Sequence, residues 1–313
     1  MFLDFLTLGN VDIKRFENFG IVVVYDKTAK EETSERVLDA DIVITNKVVI
    51  DKEVLSCAKN LKLICVAATG VNNIDLNSAK EKNIAVCNVA GYSSESVVAQ
   101  TFSTYFYLAH HNSYYDNYAK NKWAGSPIFT HHQKEFNNLF GKKWGIVGLG
   151  AIGKRVASIA SAFGCEVVYF STSGKNKNSE IKEVGFEELL ASCDVVSIHA
   201  PLNENTKNLI TKNELKKMKK TAILINMGRG GIVDESDLAD ALDEEVIGAA
   251  GLDVLSSEPP KKDNKLFYIK NSEKLFLSPH MAWASVEARE KLIDETYKNI
   301  ESFLKNENKN RII

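Results

Sequence analysis

Between Gly145 and Gly153 the chain reads Gly-Ile-Val-Gly-Leu-Gly-Ala-Ile-Gly, and this stretch limits the possible folds more than any other. Ile146 and Val147 end a short apolar run. Gly148, Gly150 and Gly153 then take the G-x-G-x-x-G spacing, and Arg155 to Phe163 continue at helical period. The order is strand, tight turn, helix. Gly148 permits the turn, Gly150 lets backbone come close to a pyrophosphate, and Gly153 lets the helix pack against the strand. The helix N-terminus, with Ala151 and Ile152 in its first turn, offers free N–H groups and a positive dipole end to phosphates. Alone, the spacing also fits a glycine-rich turn of any α/β protein. Here Ile152, Val156, Ile159, Ala160 and Phe163 make one apolar stripe and a second strand, Glu166 to Phe170, follows directly, so a dinucleotide site is expected.

With 313 residues, 44% hydrophobic and 26% charged, the chain is long enough for about two domains. A net charge of -2 with interspersed signs argues against nucleic acid as a partner. The basic run from Lys216 to Lys220 reads as the solvated flank of an amphipathic helix. Cys57, Cys65, Cys87, Cys165 and Cys193 form no C-x-x-C pair and several lie in apolar runs, as reduced thiols do, which points to a cytoplasmic home. Met1 to Leu6 lacks a basic n-region and reads as a first β-strand, not a signal peptide. No run reaches the roughly 18 apolar residues that a membrane helix needs, so no membrane partner is expected. The pairs His110–His111 and His131–His132 lack ligand spacing, and no metal is expected.

The first hundred residues alternate strands, at 21–25, 41–45, 63–66 and 84–87, with helical spacing at 34–38, 52–58 and 76–81, the pattern of βαβ units and a parallel sheet. This half has no glycine fingerprint and suits substrate better than cofactor. Two turns at strand ends, 68–73 and 88–92, are suspect because ligands of open parallel sheets bind beyond the carboxyl ends of strands. The amides around Gly70 could hold a carboxylate, or Gly70 could only tighten the turn. Residues 94–110 read as one long buried helix bridging the halves. Residues 114–143, with Trp123, Phe129, Phe136 and Phe140, read as an aromatic, loop-like arm that packs on another subunit. Apolar strands at 195–200, 222–226, 247–253 and 275–278 continue the glycine-turn half. Residues 285–304 form an amphipathic helix returning to the first half. The expected fold is α/β, two Rossmann-like or flavodoxin-like domains with parallel sheets and an active site in the cleft between them. One domain is 1–97 plus 285–313; the other is 98–284, with a dimerisation arm near 110–143.

Polar residues gather after strands of the second half. Arg229 stands between glycines in Asn226-Met-Gly-Arg-Gly-Gly231, suited to a bidentate grip on a carboxylate. Asp253 ends a strand, Glu258 precedes Pro259-Pro260, and His280 follows Ser278-Pro279. Arginine, carboxylate and histidine are what α-keto acid reduction requires. Singly, they could be a salt-bridge residue, a turn residue and a core histidine.

Taken with Thr69-Gly-Val-Asn-Asn-Ile-Asp75, Gly148 to Gly153, His199-Ala-Pro-Leu202, Gly251-Leu-Asp-Val254 and Ser278-Pro-His-Met-Ala-Trp283, this series resembles the D-isomer-specific 2-hydroxy acid dehydrogenase family over nearly the whole chain. Val98-Ala-Gln100 and His280-Met-Ala-Trp283 look most like its glycerate dehydrogenases, or hydroxypyruvate reductases. The resemblance implies that His280 is the general acid in reduction and that Glu258 hydrogen-bonds it and favours its charged form. It implies that Arg229 binds the substrate carboxylate and carbonyl with help from Thr69, Gly70 and Val71. Asp253 and Thr206 would line the cofactor site, with Ala200, Pro201, Met227 and Gly228 near the nicotinamide. Domain closure would exclude water. The implied activity is NAD(P)-dependent reduction of hydroxypyruvate or glyoxylate by a homodimer. D-lactate dehydrogenase and a non-catalytic dinucleotide-sensing protein are the rival readings. Trp123 would either reach the partner's site or only pack at the interface.

Two positions depart from the pattern. An NAD site usually has an acid about twenty residues past the glycines, on the ribose diol. Here Ser171, Thr172 and Ser173 follow the second strand, then Lys175 and Lys177, so NAD and NADP are both permitted. Thr101 stands where relatives often have histidine.

Overall fold

A computed structural model describes residues 1–313, which divide into two compact units, one of Met1–Ser93 with Ala284–Ile313, the other of Ser94–Trp283. In the first, α1 (Lys30–Val37), β1 (Ile42–Thr45), α2 (Lys52–Cys57), β2 (Leu63–Val66), α3 (Leu76–Glu81) and β3 (Ala85–Cys87) alternate. The three strands pair in parallel in the order β1-β2-β3. Helix starts are set locally: the Asp51 carboxylate accepts from Val54 N at 3.0 Å, and that of Asp75 from Ser78 N at 3.0 Å. Val43, Leu55, Ile64, Val66 and Val86 form the centre of this unit's core.

Two expected strands are reduced to isolated bridges. Phe2 pairs with Ile44 and Val24, but Phe5–Leu8 coils into a 3-10 turn, closed by Thr7 Oγ1 donating to Asp4 O. The Asp4 carboxylate, buried, takes the N–H groups of Asn46 and Lys47, which pulls the chain off the sheet direction. Of the run at 21–25 only Val24 bridges, and Ile21 is 95% exposed at the sheet edge.

The second unit opens with α4 (Ser94–Ala109) and α5 (Asn112–Asn121), then β4 (Lys143–Val147), α6 (Ala151–Ala162), β5 (Glu166–Phe170), β6 (Lys182–Glu183), α7 (Phe186–Ser192), β7 (Val195–Ile198), α8 (Lys212–Leu215), β8 (Ile223–Asn226), α9 (Glu235–Asp243), β9 (Ala249–Leu252) and β10 (Leu275–Leu277). The sheet is parallel throughout, in the order β10-β9-β8-β7-β4-β5-β6. Counted from β4, that is the doubly wound order, reversing between β4 and β7. Apolar side chains fill both faces: Ile198, Leu224 and Leu238 on one, Trp144, Ile146 and Val156 on the other. Continuous apolar strands are what such a sheet needs. The fully buried Trp144 keeps its indole N–H satisfied by Ser197 Oγ at 2.8 Å.

The helix expected to bridge the halves belongs wholly to this unit. Val97, Val98, Phe102 and Tyr105 join the Trp144 core, and a Cβ on Gly251 would stand 2.1 Å from the Thr104 methyl, so α4 lies hard against β9. The unit therefore begins at Ser94, four positions before the expected boundary (98 − 94). The arm is also more regular than expected: α5 and a 3-10 turn at Trp123–Gly125 occupy its first part. No residue of α5 is buried, and its contacts are aromatic, with His131 stacked on Tyr118 at 3.5 Å and bonded to Tyr114 Oη at 2.7 Å. Beyond the second unit the chain forms α10 (Val286–Leu304), capped by Ser285 Oγ accepting from Ala288 N, whose Leu292, Ile293 and Ile300 are buried in the first unit. No helix is long and apolar enough to cross a membrane.

Candidate active site

The glycine turn joins β4 to α6 at the strand-order reversal, where open parallel sheets hold ligands. Gly148 has φ +93°, and its N–H donates to Phe170 O at 3.0 Å. An added Cβ there would lie 3.0 Å from Ala200 N, so the Ala200–Pro201 turn can close over the loop only because the side chain is missing. At Gly153 a Cβ would stand 2.3 Å from Gly148 O. Gly150 caps α6, and a Cβ there would meet nothing within 4 Å, so its face is open. No side chain caps α6, which leaves its first N–H groups for a ligand. This cradle fits a dinucleotide pyrophosphate, held by Gly148 to Gly153 with Ala151 and Ile152 in the first turn.

The other expected cofactor residues ring the same strand ends. Ala200 and Met227 are buried, and a Cβ on Gly228 would be 2.6 Å from Ala200 O. Thr206 is fully buried; its hydroxyl donates to Pro201 O at 2.6 Å and accepts from Asn203 N at 2.8 Å, so it shapes the turn. Ser171, Thr172 and Ser173 follow β5. The Ser171 hydroxyl is buried without a protein partner.

Arg229 is set by its neighbours. Asn226, buried at the end of β8, accepts from Gly228 N and donates to Arg229 O, each at 3.0 Å. A Cβ on Gly230 would be 1.8 Å from Leu255 O, so this turn is pressed against the loop after β9 that carries Glu258. The Arg229 side chain is exposed, forms no ion pair, and donates only to Gly228 O at 2.8 Å. Most of its N–H groups face outward, free to grip an anion.

His280 and Glu258 meet although 22 residues separate them: Nδ1 and Oε2 are 2.5 Å apart, while Glu258 Oε1 accepts from Leu255 N at 3.0 Å. With Nδ1 held, Nε2 is the nitrogen left to exchange a proton. His280 has φ +50°, a left-handed conformation that a non-glycine residue adopts only when its surroundings hold it. Asp253 does the holding. Its carboxylate accepts from Ser278 Oγ at 2.5 Å, Met281 N at 3.0 Å and Ala282 N at 2.9 Å, bracketing His280 on both sides. Burial pushes the Asp253 carboxyl above its usual range. Both oxygens are committed to this loop, so Asp253 is a positioning residue in the fold. The sequence marks Asp253 as a strand-end acid, and the resemblance adds a place lining the cofactor site; that its carboxylate anchors the loop from Ser278 to Ala282 has no local signal in the sequence.

In the first unit the two suspected turns come together. Asn88 Nδ2 donates to Thr69 O at 2.6 Å, Val89 N to Ala68 O at 3.0 Å, and Thr69 Oγ1 to Val89 O at 3.2 Å. Gly70 and Val71 are partly exposed at the tip of this pair.

Another residue stands out by its lack of partners. Both ring nitrogens of His199, after β7, are buried and unbonded. Burial drops its imidazole from 6.5 to about 3, so the folded protein keeps it neutral. As pH falls below about 6.5 the unfolded chain takes up a proton that the fold refuses until near 3, so this histidine's contribution to stability is present above 6.5 and is lost on acidification. The expected slope is about 1.4 kcal/mol per pH unit within that window. Urea unfolding at pH 7 and pH 5 checks this: His199→Leu should lose less stability over that interval than the parent, and equal losses would show that His199 is not the source.

Comparison with known proteins finds relatives over most of the chain. Residues 103–282 match the family model described as D-isomer specific 2-hydroxyacid dehydrogenase, NAD binding domain. A hydroxypyruvate reductase of Blautia hydrogenotrophica is 38% identical over 96% of this chain and 94% of its own length. A glycerate dehydrogenase of Methylorubrum extorquens is 38% identical over 90% of this chain and 88% of its own. Among solved structures, an acyclic imino acid reductase in complex with NADPH and D-Arg superposes with a TM-score of 0.85, at 32% identity, covering 96% of this chain and 95% of that one.

Proposed function

Since the chain belongs to the D-isomer-specific 2-hydroxyacid dehydrogenase family, we propose that it reduces hydroxypyruvate or glyoxylate, giving D-glycerate or glycolate. As a member of that family it is an oxidoreductase of CH–OH groups that uses NAD or NADP. The observation that carries the site assignment is the His280–Glu258 pair at 2.5 Å on the same loop cluster as an arginine with no ion pair. A reduced dinucleotide held by the Gly148 to Gly153 turn would bring hydride chemistry to the keto carbon. His280 donates the Nε2 proton to the carbonyl oxygen as negative charge builds there, and takes it back in the reverse direction. Glu258 accepts from Nδ1–H throughout, fixing ring orientation and stabilising the charged imidazole. Arg229 binds the substrate carboxylate through its planar fork and draws on the neighbouring carbonyl. The family resemblance adds the loop of Thr69, Gly70 and Val71 as amide donors to that carboxylate.

Oxidation of NADH and NADPH with hydroxypyruvate, glyoxylate, pyruvate and 2-ketobutyrate tests the substrate. Hydroxypyruvate or glyoxylate should give the highest kcat/KM. Preference for pyruvate would replace this reading with a D-lactate dehydrogenase, and tight dinucleotide binding without turnover would favour a sensing protein.

A homodimer in the cytoplasm is part of the proposal. Trp123, Phe129 and Phe140 are 52%, 88% and 79% exposed around the arm, an apolar surface suited to a second copy of this chain. Trp123 Nε1 donates to Phe129 O at 3.1 Å, a contact within the arm that fits simple interface packing. Sedimentation at micromolar protein checks the dimer, and a monomer would refute it.

A further inference from the structure

The segment after β5 decides which dinucleotide the cradle prefers. Val147 and Phe170 are partners across β4 and β5, and Gly148 N donates to Phe170 O, so Ser171 is the first residue past the strand, beside the glycine turn. This is where a Rossmann site that prefers NAD places an acid to grip the adenosine ribose diol and repel a 2′-phosphate. No residue from Ser171 to Ser179 is acidic. The acid nearest along the neighbouring strand, Glu183, lies opposite Tyr169, two residues back. It is engaged by the Tyr169 hydroxyl and by Lys177 Nζ, both at 3.2 Å.

What stands in place of the acid suits an anion. Ser171 Oγ is buried and has no partner in the protein, an unsatisfied donor at the ribose end of the site. Gly174, at φ +66° with open space around a Cβ, turns the chain so that Lys175 N donates back to Ser173 Oγ at 3.3 Å. That bond leaves the Ser173 hydroxyl proton available. Lys175 is exposed and forms no ion pair, in contrast to Lys177.

We propose that Ser171, Ser173 and Lys175 form a seat for the 2′-phosphate and that the protein selects NADP(H) over NAD(H). The proposal rests on the dehydrogenase reading of the same site. It requires neither catalysis nor a known keto acid, because the discrimination lies in binding: two hydroxyl donors and an unpaired ammonium meet a dianion that NADH lacks.

Fluorescence titration of the full chain with NADPH and NADH, without keto acid, tests it, with 2′,5′-ADP and 5′-ADP as competitors. NADPH should bind at least tenfold tighter than NADH, and 2′,5′-ADP should compete better than 5′-ADP. Lys175→Ala should narrow the NADPH advantage several-fold and leave NADH affinity alone. Ser171→Asp should reverse the preference. Equal or tighter binding of NADH by the parent protein would overturn the proposal while leaving the dehydrogenase reading intact, and so would a Lys175→Ala variant with an unchanged ratio. Failure of both dinucleotides to bind would overturn the cofactor site itself, and this proposal with it.

Discussion

Replacing His280 with alanine should lower kcat for keto-acid reduction by about 10³-fold, within the range that a positioned proton donor contributes. NADPH affinity should stay within a factor of about three, because the pyrophosphate cradle is built from the Gly148 to Gly153 turn and the start of α6, whereas the imidazole is bonded to Glu258. The loss is large because no other donor stands ready. Of the six histidines, His199 is buried and held neutral, and His110, His111, His131 and His132 belong to the aromatic arm or its edge. Glu258→Gln should cost less, about 10²-fold, since an amide can still orient Nδ1 but cannot stabilise the charged ring. Steady-state rates together with dinucleotide titration check both variants. Turnover within tenfold of the parent after His280→Ala would remove the histidine from the proton-transfer role.

The second large effect is expected at Arg229. Two charge-assisted hydrogen bonds to a carboxylate contribute about 3–5 kcal/mol, so Arg229→Ala should reduce kcat/KM by about 10³-fold. Much of the loss should appear in KM, because the carboxylate is bound in the ground state as well as in the transition state. Arg229→Lys should recover only a small part, since an ammonium is a point charge without the guanidinium's planar fork. The turn itself should survive either change: it is shaped by Asn226 and by Gly230 against Leu255, not by the Arg229 side chain. A kcat/KM within tenfold of the parent for Arg229→Ala would place the carboxylate elsewhere.

Features whose signals are short-range can be read from residue order alone. The G-x-G-x-x-G spacing fixed the β4–turn–α6 unit, because a turn at φ +93° and a helix pressed against a carbonyl admit no side chain there. Apolar runs marked β5, β7, β8, β9 and β10, because strands covered on both faces must be apolar throughout. Arg229, Glu258 and His280 were legible as chemistry because each follows a strand and carries an unusual neighbour, glycine or proline.

Other features depended on contacts far along the chain. The sequence marks 1–6 and 21–25 as strands, but the carboxylate of Asp4 binding the backbone of Asn46 and Lys47 diverts one, and the sheet edge leaves the other with a single bridge. The helix α5 leaves no apolar period in the sequence because its packing groups are tyrosines and not an aliphatic stripe. In the site, only the folded chain shows that Asp253 holds Ser278, Met281 and Ala282, that this loop keeps His280 left-handed, and that Nδ1 thereby meets Glu258. Residue type and local period determine which elements form and which side chains can react. Hydrogen bonds between residues 22 to 43 positions apart decide where those side chains point, because only packing of the whole sheet brings such partners within bonding distance.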